Sequence, residues 1–213
     1  MLVVAWYLEM TDATQLRPAG PPRVDARFRR AAPDPVSSRR FYDEVGTDWS
    51  WTDRRCWSTQ QWEAWVGGPG YEMWVAEVAG EPVGYLELDG GPGGDVDVAY
   101  LGILPGFTGL GLGGSLLTAG VDRAWRRGAD RVRVHTCSLD APHARANYLA
   151  RGFRVYDFVV QRSQRAPSAA GKAGPGEARE LSRRVAPPPA SWRRGPDRAA
   201  PGRATPGNPR SPA

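Results

Sequence analysis

The sequence predicts a single α/β domain followed by a disordered C-terminal tail. Segments with the two-residue alternation of strands and segments with the 3.6-residue period of helices follow one another through residues 1–165 of the 213-residue chain. Residues 166–213 show neither period, and with ten prolines and six glycines they hold too few large apolar side chains to form a core. We therefore assign the folded domain to residues 1–165 and the tail to residues 166–213.

Local signals place two strands and two helices in the first part of the domain. Strand-forming residues mark the strands, whereas serine caps and a capping-box pair mark the starts of the helices. In chain order these elements are a strand at 2–10, a short strand at 26–31, a helix from Ser37 or Ser38 to Gly46, and a helix from Ser58, paired with Gln61, to Gly67.

The second part of the domain begins with a hairpin. Residues 71–79 and 83–89 are apolar or alternating, and Gly80-Glu81-Pro82 between them favours a tight turn. The elements that follow are a strand from Val96 to Leu104, a helix ending at Gly128, a strand from Arg131 to Cys137, a helix capped by Asp140 and ended by Gly152, and a strand from Phe153 to Val160.

The stretch from Leu104 to Leu117 joins a predicted strand to a predicted helix and is crowded with glycine. Glycine permits positive φ and lets a ligand approach the main chain closely. The free N–H groups of a helix's first turn, together with the helix dipole, favour an anion at that place. The stretch therefore predicts a cradle for a phosphate or a pyrophosphate.

Two phosphate-binding motifs fit this stretch poorly. A P-loop closes its glycines with lysine, but Gly114 is followed directly by Ser115. The dinucleotide fingerprint is matched by Gly109-x-Gly111-x-x-Gly114, yet residues 105–108 separate the strand from the glycines, and the sequence after Asp140 is too short for a βαβαβ unit. An NAD-binding Rossmann-type protein is therefore the less favoured alternative.

Two motifs in residues 2–162 resemble those of the GCN5-related N-acetyltransferase (GNAT) family. Thr108-x-x-Gly111-x-Gly113, after Pro105, is similar to the family's phosphate signature. Ala144-x-x-x-Tyr148-x-x-x-Gly152-Phe153 is similar to its second motif, and the two occur in the family's order. The resemblance implies a mixed, mostly antiparallel central sheet flanked by helices. It also implies an acyltransferase without a metal, which moves an acetyl group from acetyl-CoA to a primary amine by direct attack in a ternary complex.

The resemblance further implies how coenzyme A would bind. Strand 96–104 would separate from the next strand at a bulge, so that its main chain contacts the pantetheine and an N–H polarises the thioester carbonyl. Thr108 and Leu110 stand where the family often has arginine or glutamine, so the backbone donors, or Arg151 or Arg154, would hold the phosphates. The implied cofactor-binding residues are Leu101, Ile103, Thr108, Gly109, Leu110, Gly111, Leu112, Gly113 and Gly114.

Acetyl transfer needs a base for the amine and an acid for the leaving thiolate. Tyr148 is the candidate acid, because it stands at the tyrosine of the second motif and a phenol with a pKa near ~10 is protonated at pH 7, although the same residue could simply pack the helix onto the core. Asp97 is the candidate base, since it lies within an otherwise apolar strand where burial would raise its pKa. Glu87 and His135 are reserve candidates. The same fold without catalysis, as a coenzyme A-binding regulatory module, is the alternative function, which the loss of arginine at positions 108 and 110 favours.

The first two helices and their connection are expected to form the pocket for the acceptor. Tryptophan and aspartate cluster there, and aromatic walls with carboxylates suit a cationic amine, although the same aromatic residues could simply cover a small core. These residues are Trp49, Trp51, Trp57, Trp62 and Trp65 with Asp48 and Asp53. The acceptor could be a small molecule or a peptide amine.

Charge and cysteine content bear on which other molecules the protein binds and on the compartment in which it is expected. The net charge of +5 lies in the tail, where nine Lys and Arg face three Asp and Glu, so the domain is nearly neutral and nucleic acid is not expected to bind it. The two cysteines suit a reducing compartment, and the sequence contains neither a signal-peptide pattern nor a run long enough to span a membrane. We expect a cytoplasmic protein, and a homodimer is compatible with the sequence.

Overall fold

The computed structural model describes residues 1–49 and 51–162, so the predicted tail at 166–213 lies outside the described residues. Seven strands, four α-helices and two short 3-10 turns are found in the described ranges. The strands and α-helices are β1 (Leu2–Met10), β2 (Ala26–Ala31), α1 (Pro35–Gly46), α2 (Thr59–Val66), β3 (Glu72–Val78), β4 (Glu81–Gly90), β5 (Asp95–Ile103), α3 (Leu112–Arg126), β6 (Arg131–Cys137), α4 (Ala144–Ala150) and β7 (Arg154–Arg162).

All seven strands form one sheet in the order β2-β3-β4-β5-β6-β1-β7. Every neighbouring pair is antiparallel except β5 and β6, which run parallel. The first strand of the chain is therefore not at an edge. It lies between β6 and β7, pairing Tyr7 with His135 on one side and with Asp157 on the other. The mixed, mostly antiparallel sheet with helices that was expected is confirmed.

The helices cover the two faces of the sheet. Leu116, Leu117 and Val121 of α3 are fully buried against strand residues such as Leu86. On the other face α1 packs Phe41 flat on Tyr85, with ring centroids 5.0 Å apart. Burial of each such side chain contributes about 1.5–3 kcal/mol to folding. Helices therefore cover both faces of the sheet through apolar contacts.

The sheet opens between its two parallel strands. β5 pairs with β6 only from Asp95 opposite Arg131 to Val98 opposite Val134. Immediately after Val98 the register of β5 against β4 shifts, with Ala99 as the extra residue of a bulge. From there β5 follows β4 while β6 follows β1, and the two parallel strands separate.

Two helices begin at other residues than the sequence predicts. Asp34, rather than a serine, caps α1: its carboxylate accepts hydrogen bonds from the N–H groups of Val36 and Ser37, and Pro35 occupies the first turn. The last helix begins only at Ala144. Asp140, the expected cap, accepts hydrogen bonds from the Thr136 hydroxyl and the Cys137 N–H instead, so it stabilises the turn after β6.

Candidate active site

A cavity of about 370 Å³ lies in the opening between β5 and β6. Residues from β1, from both separating strands, from α4, from the glycine-rich stretch and from the loop after α1 line it. Of the predicted cofactor-binding residues, the lining includes Leu101, Ile103, Thr108 and Gly113, and of the predicted catalytic residues it includes Tyr148. The strand opening and the two sequence motifs therefore meet at one place in the fold.

The glycine-rich stretch forms a left-handed turn into α3. Gly109 and Gly111 have φ values of +79° and +83°, and Gly111 is the residue that precedes the helix. A side chain at Gly111 would also bring its Cβ to 3.3 Å from Cα of Pro22, so both conformation and space favour glycine there. Within residues 1–49 and 51–162, the backbone N–H groups of residues 109–114 have no hydrogen-bond acceptor. The turn into α3 thus offers a set of open donors, which is the geometry that an anion cradle requires.

Arg151 lies beside this turn. A Cβ built on Gly114 would be 2.8 Å from the Nη1 atom of Arg151, so the guanidinium packs against the first turn of α3. Its Nε atom is buried and has no hydrogen-bond partner among the described residues. Arg154, the other candidate, is directed elsewhere, because its Nη2 atom binds the Glu9 carboxylate at 3.1 Å. Of the two arginines, only Arg151 is next to the cradle.

Tyr148 lies on α4 with its side chain directed into the cavity lining. The residue is 7% exposed, and its ring meets Phe153 edge-on with centroids 6.0 Å apart. Burial, and then the negative charge of Asp140, raises the pKa of the Tyr148 phenol well above its ordinary value. The hydroxyl is therefore a hydrogen-bond donor throughout the physiological pH range.

Asp97 lies outside the cavity lining and is held by an arginine of β6. Its carboxylate receives Nε and Nη2 of Arg133 at 2.8 and 3.0 Å. Burial raises the pKa of Asp97, and Arg133 opposes that rise. Because the two oxygens are engaged in a two-pronged ion pair, this geometry does not support Asp97 as the base.

The Glu87 carboxylate also lies in the protein interior, where it is bound by other side chains. Its carboxylate is fully buried and accepts hydrogen bonds from Arg54 at 2.8 Å, from the Trp65 indole at 3.0 Å and from Tyr71 and Ser38. Four donors around one buried carboxylate indicate a structural anchor between the sheet and the first two helices.

His135 is the reserve candidate that the structure brings to the cavity. It is the first residue of β6 beyond the last pair with β5, and its side chain is exposed to the cavity. The ring of Tyr7, its partner on β1, lies with its centroid 6.2 Å away. Desolvation by the neighbouring protein lowers the pKa of His135, although the nearby carboxylates of Asp140, Asp53 and Asp97 act to raise it.

The tryptophan cluster divides into two groups. Trp57, Trp62 and Trp65 surround Arg54, whose Cζ atom is 4.6, 5.7 and 4.0 Å from the three rings. The cation that these rings bind is therefore the protein's own buried arginine. The expectation that all five tryptophans face an acceptor is not supported. Arg54 was not among the residues predicted from the sequence, although an arginine among five tryptophans is a signal for such a site.

Trp49, Trp51 and Asp53 do line the cavity. Asp53 accepts hydrogen bonds from the hydroxyl of Tyr42, at 2.8 Å, and from that of Tyr100. These bonds fix the carboxylate beside two aromatic walls, which is an environment suited to a cation.

Two searches of the described residues bear on metals and membranes. No group of three or more His, Cys, Asp or Glu in residues 1–49 and 51–162 is arranged to hold a metal ion. In the same part of the chain, no helix combines the length and the apolar character needed to cross a membrane.

A family model identifies the family of the chain, and solved structures share its fold. The acetyltransferase (GNAT) family model matches residues 38–153, which is more than half of the chain, whereas no curated protein matches. A GCN5-related N-acetyltransferase from Sphaerobacter thermophilus is similar in structure, with a TM-score of 0.56 and 18% identity over 75% of this chain and 50% of that one. One from Kribbella flavida has a TM-score of 0.51 and 18% identity over 74% of this chain and 56% of that one. The chain thus spans about half the length of these relatives, and it belongs to the GNAT family of acetyltransferases.

Proposed function

We propose that the protein transfers an acetyl group from acetyl-CoA to a primary amine by direct attack in a ternary complex. The observation that carries this proposal is that one cavity, between β5 and β6, is lined both by the phosphate-cradle residues Thr108 and Gly113 and by the aromatic and acidic residues Trp51 and Asp53. A donor and an acceptor can therefore meet without a covalent acyl-enzyme stage.

The residues present fit an anionic cofactor such as coenzyme A. The open N–H groups of residues 109–114 would bind a pyrophosphate, and Arg151 would add the positive charge that Thr108 and Leu110 lack. When bound, acetyl-CoA supplies the acetyl thioester. Beyond Val98 no strand of the described residues pairs with the cavity side of β5, so main-chain groups near Leu101 and Ile103 are available to bind pantetheine and to polarise the thioester carbonyl.

Tyr148 is proposed as the proton donor to the departing sulfur. Its buried phenol keeps its proton at neutral pH, and it belongs to the same cavity lining as Leu101 and Gly113. General acids of this kind contribute about 10²–10⁴-fold to a rate.

The acceptor is proposed to be a small-molecule or peptide amine that enters as a cation. Asp53 supplies a negative charge, and Trp49 and Trp51 supply aromatic faces for an alkylammonium. The wall formed by Val3, Ala5 and Tyr7 of β1 adds an apolar surface for the remainder of the acceptor.

The test combines ligand-induced stabilisation with thiol release. Acetyl-CoA at 100 times its Kd should stabilise the native protein by about 2.7 kcal/mol, and a panel of primary amines should then support release of free coenzyme A. Tyr148→Phe should lower kcat about 10²-fold with little change in KM. Tyr156→Phe, at a 40% exposed tyrosine outside the cavity, is the matched control.

Two outcomes would overturn the proposal. Acetyl-CoA binding without turnover of any amine would identify a non-catalytic coenzyme A-binding module. Stabilisation by a nicotinamide dinucleotide but not by acetyl-CoA would show that the glycine turn binds another cofactor.

A further inference from the structure

His135 occupies the point at which the two parallel strands separate. The last β5–β6 pair is Val98 opposite Val134, and His135 is the next residue of β6. Strand alternation buries Val134 and Thr136 on one face and turns His135 to the other, where its side chain is exposed to the cavity. The fold thus places His135 in the lining of the same cavity as the cradle residues Thr108 and Gly113 and the aromatic residue Trp51.

The carboxylates near the cavity are poorly suited to accept a proton from a substrate. Asp97 is held by Arg133, and Asp53 receives the hydroxyls of Tyr42 and Tyr100. Asp140 receives the Thr136 hydroxyl and the Cys137 N–H. Each of these carboxylates is thus already engaged by at least two donors of the protein itself.

We infer that His135 is the general base of the acetyl transfer. This inference rests on the proposed function, and it assigns to His135 the role that the sequence had given to Asp97. The bound alkylammonium first loses one proton to solvent through the open cavity. The amine nitrogen then bonds to the thioester carbon, His135 takes the second proton from that nitrogen, the C–S bond breaks, and the sulfur receives the Tyr148 proton. Solvent returns His135 and Tyr148 to their starting states, so the net products are the amide, coenzyme A and one proton.

The charges facing the imidazole fit this role. Asp53 from the loop after α1, Asp97 from β5 and Asp140 from the turn after β6 face it as anions, and Tyr7 faces it from β1. Desolvation outweighs these anions, so the pKa of His135 is lowered and the ring is neutral at pH 7. Asp53 and Asp140 would nevertheless stabilise the imidazolium that forms during transfer, whereas Arg133, two residues before His135 on β6, compensates the charge of Asp97.

The pH dependence of kcat/KM tests this assignment on an amine that the wild-type protein acetylates. As the pH is lowered, wild-type kcat/KM should fall tenfold per pH unit while only the amine is being protonated. Below the pKa of His135 it should fall a hundredfold per unit, because His135 is then protonated as well. His135→Gln should lower kcat/KM about 10²-fold at pH 7 and leave a single tenfold slope. His143→Gln, which removes the other histidine lining the cavity, should keep both slopes. The same two slopes in His135→Gln would overturn the inference.

Histidine NMR provides a test that needs no acceptor. The chain has two histidines, so ¹³C-labelled histidine gives two signals, which the two glutamine variants assign. The His135 signal should titrate below pH 6.5 and shift when acetyl-CoA is added. An ordinary titration without a response to acetyl-CoA would overturn the role of His135 and leave the proposed function standing. The expected titration without turnover of any amine would overturn the proposed function, and the base assignment with it.

Discussion

Arg151 provides the sharpest test of the proposed cradle, because the structure predicts opposite effects of its removal with and without ligand. In the ligand-free protein the buried Nε atom has no partner among the described residues. A buried unsatisfied donor costs about 1–3 kcal/mol, so Arg151→Met should leave the free energy of unfolding unchanged or raise it. When a phosphate occupies the turn, the same guanidinium makes a charge-assisted hydrogen bond worth about 1.5–3 kcal/mol.

Arg151→Met should therefore raise the Kd for acetyl-CoA roughly 10–100-fold and leave kcat nearly unchanged at saturation. Isothermal titration with acetyl-CoA and with S-acetylpantetheine separates the phosphate contact from the rest of the site, since the second ligand lacks the phosphates. Arg154→Met is the matched control: Arg154 is more than half exposed, and its guanidinium binds the buried Glu9 carboxylate and does not face the cradle. An equal loss of affinity for both ligands, or an equal effect of the two variants, would refute the role of Arg151.

Three further predictions follow from buried and strained groups. Glu87→Gln should lower the free energy of unfolding by about 3–5 kcal/mol in a urea titration, because it leaves Arg54 charged and buried without its anion. Gly111→Ala should cost about 1–2 kcal/mol in the same assay, since its φ is +83° and Pro22 is close, and it should also weaken acetyl-CoA binding. Gly113→Ala is the control, because a Cβ at Gly113 would have room. If Gly111→Ala lowered the free energy of unfolding by less than Gly113→Ala does, that reasoning would be contradicted. The pKa of His135 is lower in the folded protein than in the unfolded chain. The contribution of His135 to the free energy of unfolding is therefore complete above pH 6.5 and is lost as the pH falls through the folded-state pKa. Between pH 7 and 5, the Tm of the wild-type protein should fall more than that of His135→Gln.

Local sequence signals predicted most of the helices and strands, but they could not predict the order of the strands. The Ser58–Gln61 pair does form a capping box, and the glycine turn does precede α3. The place of β1 between β6 and β7 depends on contacts between residues more than 120 positions apart, such as Ala5 with Cys137. A strand's own alternation reveals which of its faces is buried, but not which strands lie beside it.

The same limit explains which site residues the sequence could predict. The cradle is formed by one continuous stretch, so its glycines and the following helix could be recognised together. The partner of Asp97 is Arg133, 36 positions later on β6, and the partner of Glu87 is Arg54 in the loop before α2. Whether a carboxylate is a free base or half of an ion pair depends on such distant partners. The tryptophans expected to bind a substrate instead surround Arg54, and this too depends on how the chain folds rather than on a local pattern.

The position of β1 explains how the sheet can stay open at the cavity. Two parallel strands that separate leave backbone N–H and C=O groups without partners. A strand paired on neither side would leave all of these groups unsatisfied, which is unfavourable. β5 beyond its bulge remains paired with β4, and β6 from Val132 to Cys137 remains paired with β1. Each half of the opening therefore keeps one complete ladder and offers only its inner edge to a ligand. β1 lies outside the family-matched residues 38–153. It nevertheless pairs with β6 at His135 and contributes Tyr7 to the wall of the cavity.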